Sequence, residues 1–508
     1  MPHSFKYLPV DLYSAEQARE LDRIAIEEFD ILGYTLMHRA ATYSYQTLKQ
    51  KWPNTKSITV LCGGGNNAGD GYVLAGLAKE DGKQVSVYYL SDPKKLKGDA
   101  ATAYKYLQAS NINPSKFSSK SVIDADAKTH VIVDAIFGTG LDRDVEGDYA
   151  DAIDVVNSSS AAVLSVDIPS GLNADTGNIM NAAVKADMTS TFIGLKKGMF
   201  TADGAECSGE IKFYDLDIPE ETYERLKKNN NKNISNTVSR LELNSLNSVL
   251  EPRQRNSHKG HYGHVLIIGG DEGYLGAARM AAEAAARVGA GLVSIATRSS
   301  HASLLSTIRP ELMSKGVETL GELMPLIKQA NVIAIGPGLG QSDWAKLLLA
   351  RVLESKLPIV IDADALNLLN EEELSSANWV LTPHPGEAAR LLNTDSKTIQ
   401  ADRFKSIKLL HEKFAGPIVL KGSGSLVTDV EGNVFVCDKG NPGMSSGGMG
   451  DVLTGVIAGL IAQGIEINHA IKLGICLHAA AADRAAKSGE RGLLAMDLMP
   501  HLRNLVNP

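Results

Sequence analysis

The sequence predicts an α/β protein with two domains, each a parallel sheet covered by helices on both faces. Short β-branched runs alternate with longer amphipathic runs along the chain. A polar, asparagine-rich stretch, KKNNNKNISNT (227–237), interrupts this alternation once. The 508 residues leave enough chain on each side for a separate core. We therefore predict domains over 1–228 and 239–508, joined by a linker over 229–238.

In the first half, Ser14-Ala-Glu-Gln17 is typical of a capping box and predicts a helix that runs to about residue 28. Helical patterns over 70–81 and 98–109 lie between strand-like runs, which favours a Rossmann-like three-layer domain. Those runs are SITVLC (57–62), QVSVYY (84–89), HVIVDAI (130–136) and AVLSVDI (162–168).

The second half resumes the same alternation. Its most apolar helix, predicted over Met280–Val293, is interrupted by Glu283 and Arg287, so we expect no segment that spans a bilayer. The strand-like runs are HVLIIGG (264–270), LVSIAT (292–297), NVIAIG (331–336), PIVIDAD (358–364), WVLTP (379–383) and PIVLKG (417–422).

Composition argues against several functional classes. The net charge is −8 and no Lys/Arg stripe offsets it, which disfavours a nucleic-acid binder. The four cysteines, Cys62, Cys207, Cys437 and Cys476, form no CxxC pair, so we expect buried free thiols rather than zinc ligands or disulfides. The first residues, MPHSFKYLPVDLYSAEQ, lack the apolar core of a signal peptide, and we predict a cytoplasmic protein without a membrane partner.

One candidate site of the first half begins at CGGGNNAGDG (62–71), which follows a strand and opens a helix. Glycines there let the backbone approach a phosphate, and a helix N-terminus favours negative charge. The dinucleotide fingerprint GxGxxG is absent because residue 68 is alanine, so a phosphate site and a generic tight turn stay about equally open on glycine content alone.

Polar residues at two further strand ends favour a pocket. Asp134 lies at the end of HVIVDAIFGTG, and Asp167 at the end of AVLSVDIPSG. A lone aspartate after a strand is usually a turn or helix cap. Together with Asn66-Asn67 and Ser170, however, these acids are expected at one edge of one sheet, where ligands of open α/β sheets bind.

The motifs GGNNAGDG, VDAIFGTGLDRDVEG and SVDIPSGLNADTG, in this order, resemble the NAD(P)H-hydrate epimerase family over most of residues 10–220. The resemblance implies a potassium site at Asn67, Asp134 and Ser170, oxygen ligands that suit a hard cation. It implies Asp167 as a substrate ligand, and we assign the proton transfer of epimerisation to this residue. The implied nucleotide contacts are Asn66, Asn67, Ala68, Gly69, Asp70, Gly138, Thr139, Gly140, Leu141, Asp142, Arg143 and Asp144; Ala68 departs from the usual glycine.

In the second half, the glycine-rich stretch GNPGMSSGGMGD (440–451) ends in a single acid, Asp451. Successive glycine N–H groups at a helix start form a concave anion site. A carboxylate there repels phosphate, so it suits the removal of a proton from a hydroxyl beside a bound phosphoryl group. The alternative is that Asp451 only caps a helix over 451–463, and for GGMGD in isolation the two interpretations are nearly level.

Four other loops that follow strands favour the phosphate interpretation: GPGLG (336–340), DADALN (362–367), TPHPGE (382–387) and KGSGS (421–425). KGSGS lacks the Walker A spacing. Lys421 either directs its ammonium toward phosphate or pairs with a surface acid. His384, between Pro383 and Pro385, could by itself be a core histidine.

With GAARMAAEAAARVGAGLV, IGPGLG, VIDADALN, LTPHPGEAARLL and VLKGSGSLV, the stretch GNPGMSSGGMGDVLTGVIAGLIAQG resembles the ADP/ATP-dependent NAD(P)H-hydrate dehydratases, which have a ribokinase-like fold. Met449 stands where a small residue is commoner, and Ser425 where threonine is common. The resemblance implies that Ala277, Gly338, His384 and Asp451 contact the hydrate. It implies nucleotide contacts at Lys421, Gly422, Ser423, Gly424, Ser425, Asn441, Gly447, Gly448 and Gly450.

The two resemblances together imply a bifunctional repair enzyme for NADHX and NADPHX, the hydrated forms of NADH and NADPH. They imply K⁺ in the epimerase site, Mg²⁺ and ADP or ATP in the dehydratase site, and a homo-oligomer; the fused architecture favours ADP. Asp451 is expected to be the base that activates the hydrate hydroxyl. The enzymatic alternative is a ribokinase-like kinase for a vitamin precursor, fused to a nucleotide-binding module. The non-enzymatic alternative is a ligand-binding or scaffolding module.

Overall fold

The computed structural model describes residues 8–118, 128–228, 238–369 and 374–507. The chain divides into two compact units, Met1–Ser239 and Arg240–Pro508. Nearly all of the predicted linker lies outside the described residues. Its last residue, Val238, begins a strand, so the prediction is wrong at that position.

The N-terminal unit alternates strands and helices. Its strands are β1 (Asp11–Tyr13), β2 (Ser57–Cys62), β3 (Gln84–Tyr89), β4 (Ser115–Lys116), β5 (His130–Ala135), β6 (Ala162–Val166), β7 (Met188–Phe192), β8 (Leu195–Lys196) and β9 (Glu210–Tyr214). Its helices are α1 (Ala15–Glu27), α2 (Gly33–Lys51), α3 (Asn66–Glu80), α4 (Gly98–Ala109), α5 (Asp148–Ser158), α6 (Gly204–Ser208) and α7 (Glu220–Lys228).

The main sheet of this unit has seven parallel strands in the order β4-β3-β2-β5-β6-β7-β9. Neighbouring strand residues face opposite sides, so Val60 and Val133 join the core under α2 and α3, whereas Leu61 and Ile132 join the core under α5. The predicted three-layer arrangement is confirmed. The strand order reverses between β2 and β5, the switch point at which such sheets bind ligands.

The C-terminal unit repeats the plan. Its strands are β10 (Val238–Arg240, which begins at the boundary), β11 (His264–Ile268), β12 (Leu292–Thr297), β13 (Met313–Gly316), β14 (Val332–Ile335), β15 (Ile359–Ile361), β16 (Trp379–Leu381), β17 (Val419–Leu420), β18 (Ser425–Thr428) and β19 (Val434–Cys437). Its helices are α8 (Leu243–Leu246), α9 (Leu275–Arg287), α10 (Ser299–Ile308), α11 (Leu320–Gln329), α12 (Asp343–Leu353), α13 (Ala363–Leu369), α14 (Pro385–Leu391), α15 (Ser396–Ala401), α16 (Arg403–Phe414), α17 (Met449–Ala462), α18 (Ile467–Ala485) and α19 (Leu498–Leu505).

The parallel sheet of this unit has the order β13-β12-β11-β14-β15-β16, with its switch point between β11 and β14. Strands β17, β18 and β19 pair antiparallel. Helix α17 is almost wholly buried and packs against α9. Gly455 permits this contact, because a Cβ there would lie 1.9 Å from the carbonyl oxygen of Ala281.

Several predicted boundaries change. Helix α3 begins at Asn66 rather than residue 70, so NNAGD forms its first turns. Helix α9 ends at Arg287, and Val293 belongs to a strand, which corrects the helix predicted over 280–293.

The predicted capping box is confirmed, since Ser14 Oγ accepts from the Gln17 N–H at 3.1 Å and Gln17 Oε1 accepts from the Ser14 N–H at 2.7 Å. All four cysteines are buried free thiols, as expected.

Candidate functional site

The switch point of the N-terminal unit gathers the first set of predicted residues. Asn66 and Asn67 begin α3 directly after β2, Gly138 follows β5, and Asp167 and Ser170 follow β6. Strands β2, β5 and β6 are neighbours in the sheet, so these residues share one edge. The loop Gly138–Asp144 is partly to fully exposed beside them.

Asp134 is fully buried and holds this edge together through its carboxylate. Oδ2 accepts from Ser165 Oγ at 2.8 Å and from the Ser170 N–H at 2.9 Å, and Oδ1 accepts from Ser170 Oγ at 2.5 Å. Burial raises the pKa of Asp134, and these hydrogen bonds oppose the rise. No lysine, arginine or histidine among the described residues forms an ion pair with Asp134.

The side-chain amide of Asn67 has a hydrogen-bonded donor and an acceptor without a partner in the described part of the chain. Its Nδ2 donates to the Phe137 carbonyl at 2.8 Å, whereas its buried Oδ1 has no hydrogen-bond partner in the described part of the chain. Ser170 Oγ accepts from the Phe137 N–H at 2.8 Å. Amide, carboxylate, hydroxyl and carbonyl oxygens therefore converge around Asn67, Asp134, Phe137 and Ser170.

Asp167 has an unusual backbone and a cationic partner that the sequence did not predict. Its φ is 69°, in the left-handed region that costs a non-glycine residue about 1 kcal/mol or more. Lys196 Nζ donates to Asp167 Oδ1, and the side chain of Lys196 is only 2% exposed. The second oxygen, Oδ2, lies 3.4 Å from the position that a Cβ on Gly138 would occupy.

Two further acids belong to this electrostatic group. Burial raises the pKa of Asp70 well above its ordinary value; the carboxylates of Asp167 and Asp22 raise it further, and Lys196 opposes them. Asp22 lies on α1 and was not singled out from the sequence. A protonated carboxyl beside a carboxylate is an arrangement suited to proton transfer.

The second candidate site lies at the N-terminus of α17. The helix begins at Met449 with Gly448 as its N-cap at φ 90°, and no side chain makes a capping hydrogen bond. Asp451 is the third residue of the helix, so the alternative that Asp451 only caps it is wrong. Burial raises the pKa of Asp451 to about 7, and the carboxylates of Asp362, Asp364 and Glu387 contribute to the rise while Lys421 opposes it.

Lys421 pairs with a buried acid rather than a surface acid. Its Nζ lies 2.8 Å from Asp362 Oδ1 and 3.7 Å from Glu387 Oε2. Asp362 is 1% exposed, and its Oδ2 accepts from Thr454 Oγ1 at 2.7 Å. The ammonium also borders the first turn of α17, because a Cβ on Gly450 would lie 3.2 Å from it.

His384 is half-exposed and caps α14. Its Nδ1 accepts from the Gly386 N–H at 2.9 Å, and its Nε2 lies 3.4 Å from Glu387 Oε1. Burial lowers the pKa of His384, whereas burial raises the pKa of Glu387 to about 7. Neutral His384 therefore presents an Nε2–H tautomer to Glu387, and the interpretation as a core histidine is wrong because the ring is 52% exposed.

Gly338 and Ala277 meet at the switch point of the C-terminal unit. A Cβ on Gly338 would lie 3.2 Å from Ala277 Cβ and 2.6 Å from the Tyr274 carbonyl, so only glycine fits here at its φ of 57°. Two residues further on, the Gly340 N–H donates to Asp364 Oδ2 at 2.9 Å. Asp364 thus connects this corner to Asp451, whose pKa it raises.

The predicted nucleotide residues lie on two loops beside α17. In the first loop, Ser425 Oγ donates to the Gly422 carbonyl at 2.9 Å, and the Arg403 guanidinium donates to the Leu420 carbonyl at 3.2 Å. In the second, Asn441 Oδ1 accepts from the Gly443 N–H at 3.1 Å. Ser423, Gly424, Gly447 and Gly448 are partly to fully exposed on these loops.

The comparisons with known proteins show the family of the chain. The sequence profile described as YjeF-related protein N-terminus matches residues 33–198, and the one described as NAD(P)H-hydrate dehydratase matches 265–504. A curated Coxiella burnetii protein, named bifunctional NAD(P)H-hydrate repair enzyme Nnr, is 48% identical over 98% of this chain and 99% of its own. The chain belongs to the family of bifunctional NAD(P)H-hydrate repair enzymes.

Solved structures cover the C-terminal half of this family member. A ribokinase-like superfamily protein from Enterococcus faecalis V583 is 32% identical over 53% of this chain and 94% of its own, with a TM-score of 0.49. An ADP/ATP-dependent NAD(P)H-hydrate dehydratase from Bacillus subtilis, co-crystallized with ATP/Mg²⁺, is 28% identical over 52% and 96%, with a TM-score of 0.47.

Two residues that depart from the motifs of the repair-enzyme family, Met449 and Ala68, are buried. Met449 is 6% exposed and points into the core, so its size does not narrow the nucleotide loop. Ala68 is fully buried in the first turn of α3 and is absent from the residues with positive φ. Gly69 is also buried, where a Cβ would lie 2.6 Å from Met37. Ala68 and Gly69 can therefore reach a ligand only through their backbone.

Sequence reasoning on this repair-enzyme family member missed the residues that support the two acids. Lys196 lies in an unremarkable strand end, LKKG, and Asp22 lies on a helix distant in sequence, so no local pattern marks them. Asp362, Asp364 and Glu387 fall inside the motifs DADALN and TPHPGE, which were recognised as motifs without an individual role.

Proposed function

We propose that the protein repairs hydrated NADH and NADPH, with one reaction in each unit. The N-terminal domain, residues 1–228, interconverts the R and S epimers of NAD(P)HX at C6. The C-terminal domain, residues 239–508, dehydrates the S epimer to NAD(P)H with ADP, or ATP, as phosphoryl donor, giving AMP, or ADP, and phosphate. The family of the chain supports this proposal, and so does the position of one acid at each switch point.

The dehydration depends on Asp451. Its carboxylate takes the C6 hydroxyl proton as that oxygen attacks the terminal phosphorus of the nucleotide, and the phosphorus–oxygen bond to the leaving nucleotide breaks. The lone pair of the ring nitrogen then expels phosphate from C6, and C5 loses a proton to complete the double bond. General-base help of this kind is typically worth ~10²–10⁴-fold.

The observation that carries the proposal is the electrostatic setting of Asp451 in the first turn of α17. A pKa of about 7 lets this carboxyl accept a proton at neutral pH and release it again. The adjacent N–H groups of the helix start, with Lys421 against Gly450, supply the positive potential that a transferred phosphoryl group needs.

The epimerisation depends on Asp167. Inversion at C6 breaks the carbon–oxygen bond with the electron pair leaving on oxygen, which takes a proton and departs as water. The ring nitrogen lone pair forms a double bond to C6, and water then adds to the opposite face and returns the proton. We assign the proton exchange to Asp167, with the neighbouring Asp70 as part of the same acidic group.

A potassium ion fits the oxygens around Asn67. The buried Asn67 Oδ1 has no partner among the described residues, and the buried Asp134 carboxylate has no cationic partner there. Asn67, Asp134 and Ser170 would hold the ion. It would supply a positive charge that anchors the negatively charged hydrate beside Gly138.

The nucleotide fits as a magnesium complex. Asp362, Glu387 and Asp451 act on the ammonium of Lys421, and Asp364 adds a negative charge that acts on Asp451, which leaves an excess of negative charge where phosphates are expected. Mg²⁺ bound to phosphates offsets this charge and stabilises charge on the transferred group. Asp364 would face the metal complex, and Lys421–Ser425 and Asn441–Gly450 would hold the nucleotide.

The activity test uses purified protein with a mixture of R- and S-NADHX. We expect NADH absorbance to appear only with ADP or ATP, with one phosphate released per NADH. A stable phosphorylated product without NADH would instead establish the alternative, a small-molecule kinase.

We further propose a cytoplasmic homo-oligomer. None of the helices in the described ranges is long and apolar enough to cross a membrane.

A further inference from the structure

Lys196 is a buried lysine that contacts Asp167, at the sheet edge where the epimerase site is proposed. Its side chain is 2% exposed, and it follows β7 by one short turn. The three hydrogens of its ammonium have three acceptors: Asp167 Oδ1, Thr191 Oγ1 at 2.9 Å and the Phe192 carbonyl at 3.1 Å. A lysine with every hydrogen engaged is held in one orientation, and it does not exchange protons with a ligand.

The two carboxylate oxygens of Asp167 therefore have different surroundings. Oδ1 turns inward to Lys196, while Oδ2 turns toward the loop of Gly138, 3.4 Å from the position of a Cβ there. A Cβ at residue 138 would be in ordinary van der Waals contact with Oδ2, so this oxygen faces the loop 138–144 on which the hydrate is proposed to bind. The left-handed backbone at Asp167 directs the carboxylate to this position.

We propose that Lys196 is a positioning residue of the epimerase: its ammonium fixes Asp167 so that Oδ2, and not Oδ1, exchanges the proton with the hydrate. The inference rests on the epimerase function proposed above. Lys196 also lies in the field of the other acids of this edge, Asp22 on α1 and Asp70 on α3. It therefore acts on the reaction through Asp167 rather than by contact with the substrate.

The test compares Lys196→Met, Lys196→Gln and Lys185→Met in the full chain. Lys185 is a surface lysine of the same unit that pairs with Glu206, so its replacement is the matched control. We expect Lys196→Met to lower epimerase kcat about 100-fold, the scale for misplacing a reacting group by about 1 Å, with less than a roughly threefold change in KM. The melting transition of the N-terminal unit in each variant reports whether that unit is folded, and the dehydratase rate on pure S-hydrate reports whether the C-terminal unit of the same chain is folded.

A double-mutant cycle with Asp167→Asn tests whether Lys196 affects the epimerase rate through Asp167. If Lys196 acts through Asp167, adding Lys196→Met to Asp167→Asn lowers the epimerase rate no further. Multiplicative losses, or full kcat in both Lys196 variants, would overturn the inference. Unfolding of the N-terminal unit in both Lys196 variants, seen as the loss of its melting transition, would overturn it as well, since Lys196 would then be a core residue. Absence of epimerase activity in the unsubstituted protein would instead refute the proposed function.

Discussion

At the residue scale, the acids of the dehydratase site are set by their neighbours. Asp362 and Glu387 both face Lys421, yet the pKa of Asp362 is lowered and that of Glu387 is raised to about 7. Asp362 has the closer contact with the ammonium and accepts from Thr454 as well. Asp362 therefore remains an ionised anchor, which leaves Asp451 and Glu387 as the carboxyls poised to change their protonation.

Asp451→Asn should remove dehydration while epimerisation continues at the unsubstituted rate. Asparagine keeps the shape but cannot accept the hydroxyl proton, so we expect a loss of ~10²–10⁴-fold in dehydratase kcat. NADH formation from S-NADHX measures the loss, and chromatographic separation of the epimers measures epimerisation. Loss of both activities together would contradict two separate sites.

The pH dependence of the dehydratase should follow Asp451. Its carboxylate is the active form, so kcat/KM rises with pH through about 7 and then levels. Glu387→Gln removes a negative charge that raises the pKa of Asp451, so the rise should move to lower pH. An unchanged or opposite shift in the profile of Glu387→Gln would show that another group controls the rate.

At the scale of elements, α17 and α9 pack more closely than side chains allow. The Gly455 contact lies backbone to backbone against Ala281, and Gly459 packs against Ala285, where a Cβ would lie 2.8 Å from its Cα. These glycines bring the start of α17 into the sheet edge that holds Asp451. The first turn of α17, proposed to bind the nucleotide, and the glycines that pack against α9 thus belong to one continuous helix.

Gly455→Ala should destabilise the C-terminal unit. The added methyl would meet the Ala281 carbonyl at 1.9 Å, and overpacking of this kind typically costs about 1–3 kcal/mol. Thermal inactivation of the dehydratase is the measurement, with a shift of about 2–4 °C for each kcal/mol. Gly321→Ala is the control, because a Cβ there has only Thr319 Oγ1 nearby, at 3.8 Å. An equal effect of both substitutions would contradict the close packing.

Sequence patterns predict the elements well and their ends less well. Strands such as Ser57–Cys62 and Gln84–Tyr89 were predicted to the residue, because β-branched and aromatic residues are concentrated in both runs, although only Ser57–Cys62 is buried on both faces. The start of α3 was missed, because its first turns, NNAGD, have turn-like composition although they are helical. Lys196 and Asp22 could not be predicted as partners of Asp167, because only the packing of β8 and α1 brings them there.

At the scale of the whole molecule, the two parallel sheets share the order of their first six strands, and each candidate site contains one of two different acids, Asp167 or Asp451. Each unit has its own core and its own polar edge, and the proposed product of one is the substrate of the other. The S-hydrate therefore links the two reactions as a shared compound.

Asp167→Asn and Asp451→Asn should complement each other in solution. With a mixture of epimers, Asp167→Asn alone converts only the S fraction to NADH over the time in which the unsubstituted enzyme converts both. An equimolar mixture of the two variants should restore full conversion, because the epimers diffuse between chains. A mixture that still stops at the S fraction would indicate direct transfer within one chain.

The crowding of acids around Lys421 has a calorimetric consequence. Asp451 and Glu387 both titrate at about 7, so the unliganded C-terminal pocket holds fractional protons in neutral buffer. A bare nucleotide adds negative charge and should draw protons from the buffer, whereas a metal-loaded one carries less negative charge and should draw fewer. Titration in two buffers with different heats of ionisation would measure this difference in proton uptake, and a binding heat that is independent of the buffer would contradict the expectation.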